Sequence, residues 1–122
     1  MTELQKIVEN AWENRKLLQE PDIKQAIEKV IFLLDSGALR VAQPDKPDQP
    51  GNSTNSSSWI VNEWIKKAVI LYFPLRKMKT TELGIFEFHD KIDLKKNYKE
   101  LGVRVVPHAI ARYGAYLAKG VV

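Results

Sequence analysis

Leu4, Ile7, Val8, Ala11 and Trp12 fall at i, i+3, i+4, i+7 and i+8, an apolar stripe down one side of a helix. Thr2 and Gln5 stand where a capping box would satisfy the first backbone N–H groups. Pro21 suits a first helical position, because the N–H it lacks would find no partner there. Ile23, Ala26, Ile27, Val30, Leu33 and Leu34 then repeat the stripe, and Gly37 offers the left-handed stop. Two amphipathic helices so close in sequence are predicted to pair as a hairpin. Val61, Trp64, Ile65, Ala68, Val69 and Tyr72 make a third stripe, halted by Pro74, although the run Val69–Phe73 also suits a strand. Ile85–His89 predicts a short strand. Asp93 is placed to cap a fourth helix with Leu94, Tyr98 and Leu101 on one face and Gly102 as its end. The predicted core is Leu4, Ile7, Ala11, Trp12, Ile27, Val30, Leu34, Trp64, Ile65 and Ala68.

Residues 43–58 break these patterns. Pro44, Pro47, Pro50 and Gly51 precede the polar run 52–58, which has too little apolar surface to order itself. The expectation is a mobile polar loop inside one domain, 1–102. Two glycosylation sequons fall in this loop and carry no weight without a secretion signal.

The last twenty residues change period. Ile110, Tyr116 and Val122 are six apart, and Gly114 and Gly120 follow the first two at the same offset. Hexapeptide spacing marks a parallel β-helix, with one apolar residue per repeat turned inward and a small residue at the corner. An edge strand with two unrelated glycines fits the spacing equally well. If a coil does begin at 103–122, it cannot bury its apolar face alone, and further coils are expected beyond Val122. Without them, the segment should be poorly ordered or should pair with another chain or with its own domain.

Composition narrows the chemistry. The chain of 122 residues has no cysteine, which excludes disulfides and thiolate catalysis. No apolar run approaches the ~20 residues that span a bilayer, and the opening residues show no apolar signal region, so no membrane partner and a cytoplasmic location are expected. The net charge of +4 is uneven: residues 1–50 hold seven basic against nine acidic groups, and 51–122 hold twelve against six. A basic half suits an anionic partner, yet nothing resembles a nucleic-acid module. His89 and His108 lack metal-ligand spacing and read as surface or turn residues. No nucleophile triad, phosphate loop or dinucleotide pattern appears, so neither a catalytic residue nor a metal site is expected in these residues. Lys66 and Lys67 lie off the apolar stripe, facing water or an anion. Arg104 is set inside the apolar run Gly102-Val-Arg-Val-Val-Pro107, where its five donors need an internal carboxylate or an external anion. Arg112 lies in the same basic stretch with no motif to make it a ligand.

Three blocks in order, Leu33–Ala42, Trp64–Leu71 and Gly102–Pro107, closely resemble the N-terminal region of tetrahydrodipicolinate N-succinyltransferase. The likeness covers nearly the whole chain and departs at 43–58 and 76–92. It implies a mainly α, α+β N-terminal domain leading into the first coil of a left-handed parallel β-helix at 103–122. It further implies a homotrimer with active sites between subunits, using succinyl-CoA as co-substrate, tetrahydrodipicolinate as acceptor and no tightly bound cofactor. Arg104 matches the family's arginine that binds a substrate carboxylate. The residues of the CoA site would lie beyond Val122, so 1–122 alone is expected to be inactive. The alternative is a non-enzymatic helical binding or oligomerisation module without acyltransferase coils.

Overall fold

The computed structural model describes residues 1–45 and 58–122. Helix α1, Glu3–Glu13, begins at Thr2, whose hydroxyl accepts from the Gln5 N–H at 3.2 Å. Asn14 caps a 3₁₀ turn, Arg15–Gln19, that the apolar spacing does not announce. Helix α2, Pro21–Asp35, has Pro21 at its start, and Gly37 follows its end with φ +80°. Helix α3, Glu63–Leu75, carries Pro74 within its last turn, where few intrahelical bonds remain to break. It begins after Val61, which lies in a strand instead of on the helical stripe.

These three helices pack against one another and enclose the core. Val8, Ile27, Val30, Ile65 and Leu71 are fully buried, each contributing about 1.5–3 kcal/mol relative to exposure. Ala11, Leu18, Ile31, Trp64, Ala68, Tyr72 and Ile92 complete the core. Leu4, Trp12 and Leu34, expected inside, sit at its margin, and Ile7, also expected inside, is only half-buried and lies outside the cluster. Trp12 is half-buried because Arg15 and Lys67 lie over its ring, 4.6 and 5.7 Å from the centroid. Among the described residues, no helix is long and apolar enough to cross a membrane.

Two small antiparallel ribbons flank the helices. Strand β1, Ala42–Pro44, pairs with β2, Trp59–Val61. Of the polar stretch 43–58, residues 46–57 lie outside the described residues, while Gln43 and Pro44 belong to β1. Strand β3, Lys79–Leu83, pairs with β4, Phe86–Asp90, around a two-residue loop. Gly84 takes φ +58° at the first loop position, which a II′ hairpin reserves for glycine. Ile85, predicted to start the strand, sits in this loop and is 95% exposed. The fourth helix shrinks to one turn, α4, Tyr98–Leu101, because Asn97 enters the left-handed region just before it. Asp93 is no cap there: its carboxylate is taken by Arg76 and Lys79. Gly102, φ +68°, ends α4 as predicted.

After Gly102 the chain makes three turns, each closed by an N–H to C=O bond across three residues: Ala109 to Val106, Ala115 to Arg112, and Val121 to Ala118. They start six residues apart. Pro107 occupies the second position of the first turn, and Gly114 (φ +103°) and Gly120 (φ +90°) the third position of the others, as turn chemistry requires. One lap of eighteen residues then closes, with the Gly120 N–H donating to the Gly102 carbonyl at 2.8 Å. Beside it the Arg104 N–H donates to Val121 O at 2.9 Å. The inward phase differs from the predicted one. Ile110, Tyr116 and Val122 are 56%, 42% and 78% exposed, whereas Val105, Ala111 and Leu117, also six apart, are half-buried. In an extended chain, a shift of one residue moves every side chain to the opposite face.

Candidate functional site

Gly102 turns the chain out of α4 and Val103 is buried, its N–H bonded to Tyr98 O at 2.9 Å. Arg104 follows as an exposed side chain on a backbone pinned to Val121. Among the described residues it makes no ion pair and no side-chain hydrogen bond. The internal carboxylate considered for it is therefore not found there. Other cations of the basic half differ. Arg112 pairs with Asp90 at 2.8 Å, Arg76 and Lys79 share Asp93 at 2.9 and 2.6 Å, and Lys67 holds Glu9 at 2.6 Å. Lys67 thus faces a carboxylate of α1, which raises its pKa, instead of an external anion.

A groove of about 550 Å³ lies between the β3–β4 ribbon and the coil, with Phe88, Ile92, Leu94 and Ile110 as its apolar lining. Its polar rim is Lys79, Thr81, Glu87, His89, Asp90, Asp93, Lys96 and Arg112; Arg104 is not part of it. The Lys79 hydrogen bond, with Arg76 close by, holds the Asp93 carboxyl below its ordinary pKa. The backbone N–H of Lys91, then Arg112, does the same for Asp90. Lys79 and Arg112 are paired with carboxylates and, among the described residues, Lys96 is not, but three cations face Glu87, Asp90 and Asp93, so the groove carries no net positive charge to draw an anion. The hydroxyl of Thr80 and Nδ1 of His89 are 2.8 Å apart on the open face of the ribbon, and His108 meets the edge of Phe86 in a turn. Among the described residues, no group of three or more His, Asp or Glu could hold a metal ion.

A second polar constellation was invisible in the sequence. Oδ1 of Asp35, the last residue of α2, accepts from Lys95 Nζ and from the Gly114 N–H, both at 2.8 Å. Lys95 Nζ also donates to the Asp35 carbonyl at 3.2 Å, and the lysine is only 5% exposed. Nearby, Tyr116 packs on Gly37 so closely that a Cβ there would lie 2.7 Å from the ring, and Arg40 covers the ring at 4.7 Å. Sixty residues separate Asp35 from Lys95, and no periodicity or motif links them.

The chain matches the family described as tetrahydrodipicolinate N-succinyltransferase N-terminal over residues 3–75. Proteins named 2,3,4,5-tetrahydropyridine-2,6-dicarboxylate N-succinyltransferase are similar over its whole length. Those of Pseudoalteromonas translucida and Acinetobacter baylyi are 39% and 44% identical, with the chain spanning 44% and 45% of their lengths. The protein of Chromobacterium violaceum is 39% identical, with 45% of its length matched. The chain thus spans less than half of the relatives it matches.

Proposed function

We propose, from the premise that the chain belongs to the tetrahydrodipicolinate N-succinyltransferase family, that it forms the N-terminal part of an enzyme making N-succinyl dicarboxylates for lysine and diaminopimelate biosynthesis. The amine of ring-opened tetrahydrodipicolinate, 2-amino-6-oxopimelate, attacks the thioester carbonyl of succinyl-CoA. The C–N bond forms, the C–S bond breaks, the CoA thiolate leaves and the amine loses a proton. Such a transfer needs orientation of two anionic reactants and movement of one proton, without a covalent enzyme intermediate. The groups that move that proton and hold CoA belong, in this reading, to the segments that the relatives carry beyond the matched part.

Arg104 is assigned to a carboxylate of the acceptor. The observation that carries this is an exposed guanidinium, without an ion-pair partner among the described residues, on a backbone fixed by Val103 and Val121. A planar fork held on a rigid segment suits bidentate binding of a carboxylate. Residues 103–122 are read as the first coil of a left-handed β-helix. Six-residue turn spacing and the eighteen-residue closure at Gly102 and Gly120 support that reading. The assembly is read as a cytoplasmic homotrimer with sites between subunits, needing no tightly bound cofactor. No observation favours a non-enzymatic helical module.

The test is Arg104→Ala in the intact enzyme. Loss of a bidentate contact should lower kcat/KM by roughly ten- to 150-fold, mainly through KM for the acceptor, with KM for succinyl-CoA little changed. Arg104→Lys should recover only part of it. A lower melting temperature with unchanged kinetics of the folded fraction would show that Arg104 acts structurally and not on substrate.

A further inference from the structure

Helix α2 ends with no basic residue in its last turn, so its terminal carbonyls and the Asp35 carboxylate gain no compensating cation locally. Lys95 supplies one from sixty residues away, its Nζ reaching both the Asp35 carboxylate and the Asp35 carbonyl. The same carboxylate oxygen accepts the Gly114 N–H. A buried ammonium is expensive to desolvate, and a buried ion pair adds little net stability over apolar packing. What such a pair fixes well is one arrangement of the segments that carry it.

Those segments bracket Arg104. The Lys95 N–H donates to Ala111 O at 2.9 Å and the Tyr113 N–H to Asp93 O at 2.7 Å, around the Leu94–Arg112 bridge. Residues 93–95 and 111–114 are therefore zipped together, and Asp35 ties both strands of the zip to the end of α2. The chain between them, 96–110, carries α4 and the Val106 turn, and the two zipped segments that close it both reach the one carboxylate. Arg104 sits near the middle of that chain, and the lap bond from its N–H to Val121 extends from the Gly114 side of the clamp.

We infer that Asp35 is a positioning residue: with Lys95 and Gly114 it clamps the coil to the helical body and so sets where Arg104 presents its guanidinium. This rests on the substrate role of Arg104 proposed above. A guanidinium displaced by about an ångström loses bidentate geometry, the scale on which misplacement costs up to ~100-fold in rate.

The experiment compares Asp35→Ala and Asp35→Asn in the intact enzyme, with Arg104→Ala as reference and the core variant Val30→Ala as a stability control. Asp35→Ala should raise KM for the dicarboxylate acceptor about tenfold while leaving kcat and KM for succinyl-CoA within about threefold, the signature of lost uniform binding. Amide hydrogen exchange over 104–117 should quicken at least about tenfold while the amides of α1 and α3 stay protected, since local opening need not involve the core. Asn keeps an acceptor for the Gly114 N–H but leaves the buried Lys95 ammonium without a counter-charge, so it should restore only part of both. Val30→Ala should lose stability without the KM shift. Unchanged exchange over 104–117 in Asp35→Ala overturns the clamp, as does a KM shift that Val30→Ala shares. If Arg104→Ala itself leaves KM unchanged, the substrate role falls and with it the positioning assignment, while the exchange result still decides whether the clamp exists.

Discussion

In the body built by α1, α2 and α3, Val8, Ile27, Val30, Ile65 and Leu71 are fully withdrawn from water; in residues 103–122, Val103 alone is buried. The body is held chiefly by apolar contact between helices; its backbone hydrogen bonds stay within each helix, and the Lys67–Glu9 pair joins α3 to α1. The coil has almost no core of its own. It is shaped by Pro107, Gly114 and Gly120 at its corners, by two lap bonds, and by the polar clamp that Asp35 extends from α2. The difference separates two jobs. Burial makes the body stable, and directional bonds hold the coil, with Arg104 on it, in one place without making it a stable unit by itself.

Breaking the body should have the largest effect. Ile65→Ala removes a fully buried side chain of α3, which packs on both α1 and α2, and should cost roughly 2–5 kcal/mol in denaturant unfolding. Because the coil depends on the body, its amides should lose protection in the same transition; a coil that survives body unfolding would contradict this dependence.

A mid-sized effect is expected where the two regions touch. Gly37→Ala asks for an L residue at φ +80° and puts a methyl group 2.7 Å from the Tyr116 ring, at a cost of about 1–3 kcal/mol. In a Tyr116→Ala background the clash disappears and only the backbone strain remains. Equal losses in both backgrounds would show that the ring plays no part. Thr2→Ala, which removes only the cap of α1, should cost about 1 kcal/mol by thermal melting and leave exchange in 103–122 untouched.

The smallest effect is that of acid. Asp93, bonded by Lys79, and Asp90, bonded by the Lys91 N–H and Arg112, are both more acidic folded than unfolded. Their contribution is therefore present above an ordinary aspartate pKa of about 4 and is lost as pH falls through their lower folded values. Resonances of 110–113 should shift below about pH 4 before those of the body. Tighter coil contacts on acidification in that range would reverse the sign and refute the pairing.

These contrasts also explain what could be read from sequence. The three helices were legible because Val8, Ile27 and Ile65 sit on stripes that repeat with the helical period, and local signals at Thr2, Pro21 and Gly37 bound the first two. Strand β3, Lys79–Leu83, was not, since all five of its residues are exposed and no burial alternation marks it. Two of the turns in 103–122 were legible from Gly114 and Gly120. The inward residues of the coil were misassigned by one position, because Ile110 and Tyr116 are the larger side chains but pack outward, on the groove and on Gly37. Arg104 stood out as one charge in an apolar run. Asp35 and Lys95 did not, because a contact across sixty residues leaves no local pattern.

The most direct test of the carboxylate site is a cycle between Arg104 and its ligand. Acceptors with one or the other carboxylate replaced by a carboxamide are compared in the native enzyme and in Arg104→Ala. One replacement should lower kcat/KM by roughly ten- to 150-fold in the native enzyme and by no more than about threefold in Arg104→Ala, because the partner is already gone. If that replacement costs the same in both enzymes, Arg104 does not touch the carboxylate and its assigned role is wrong.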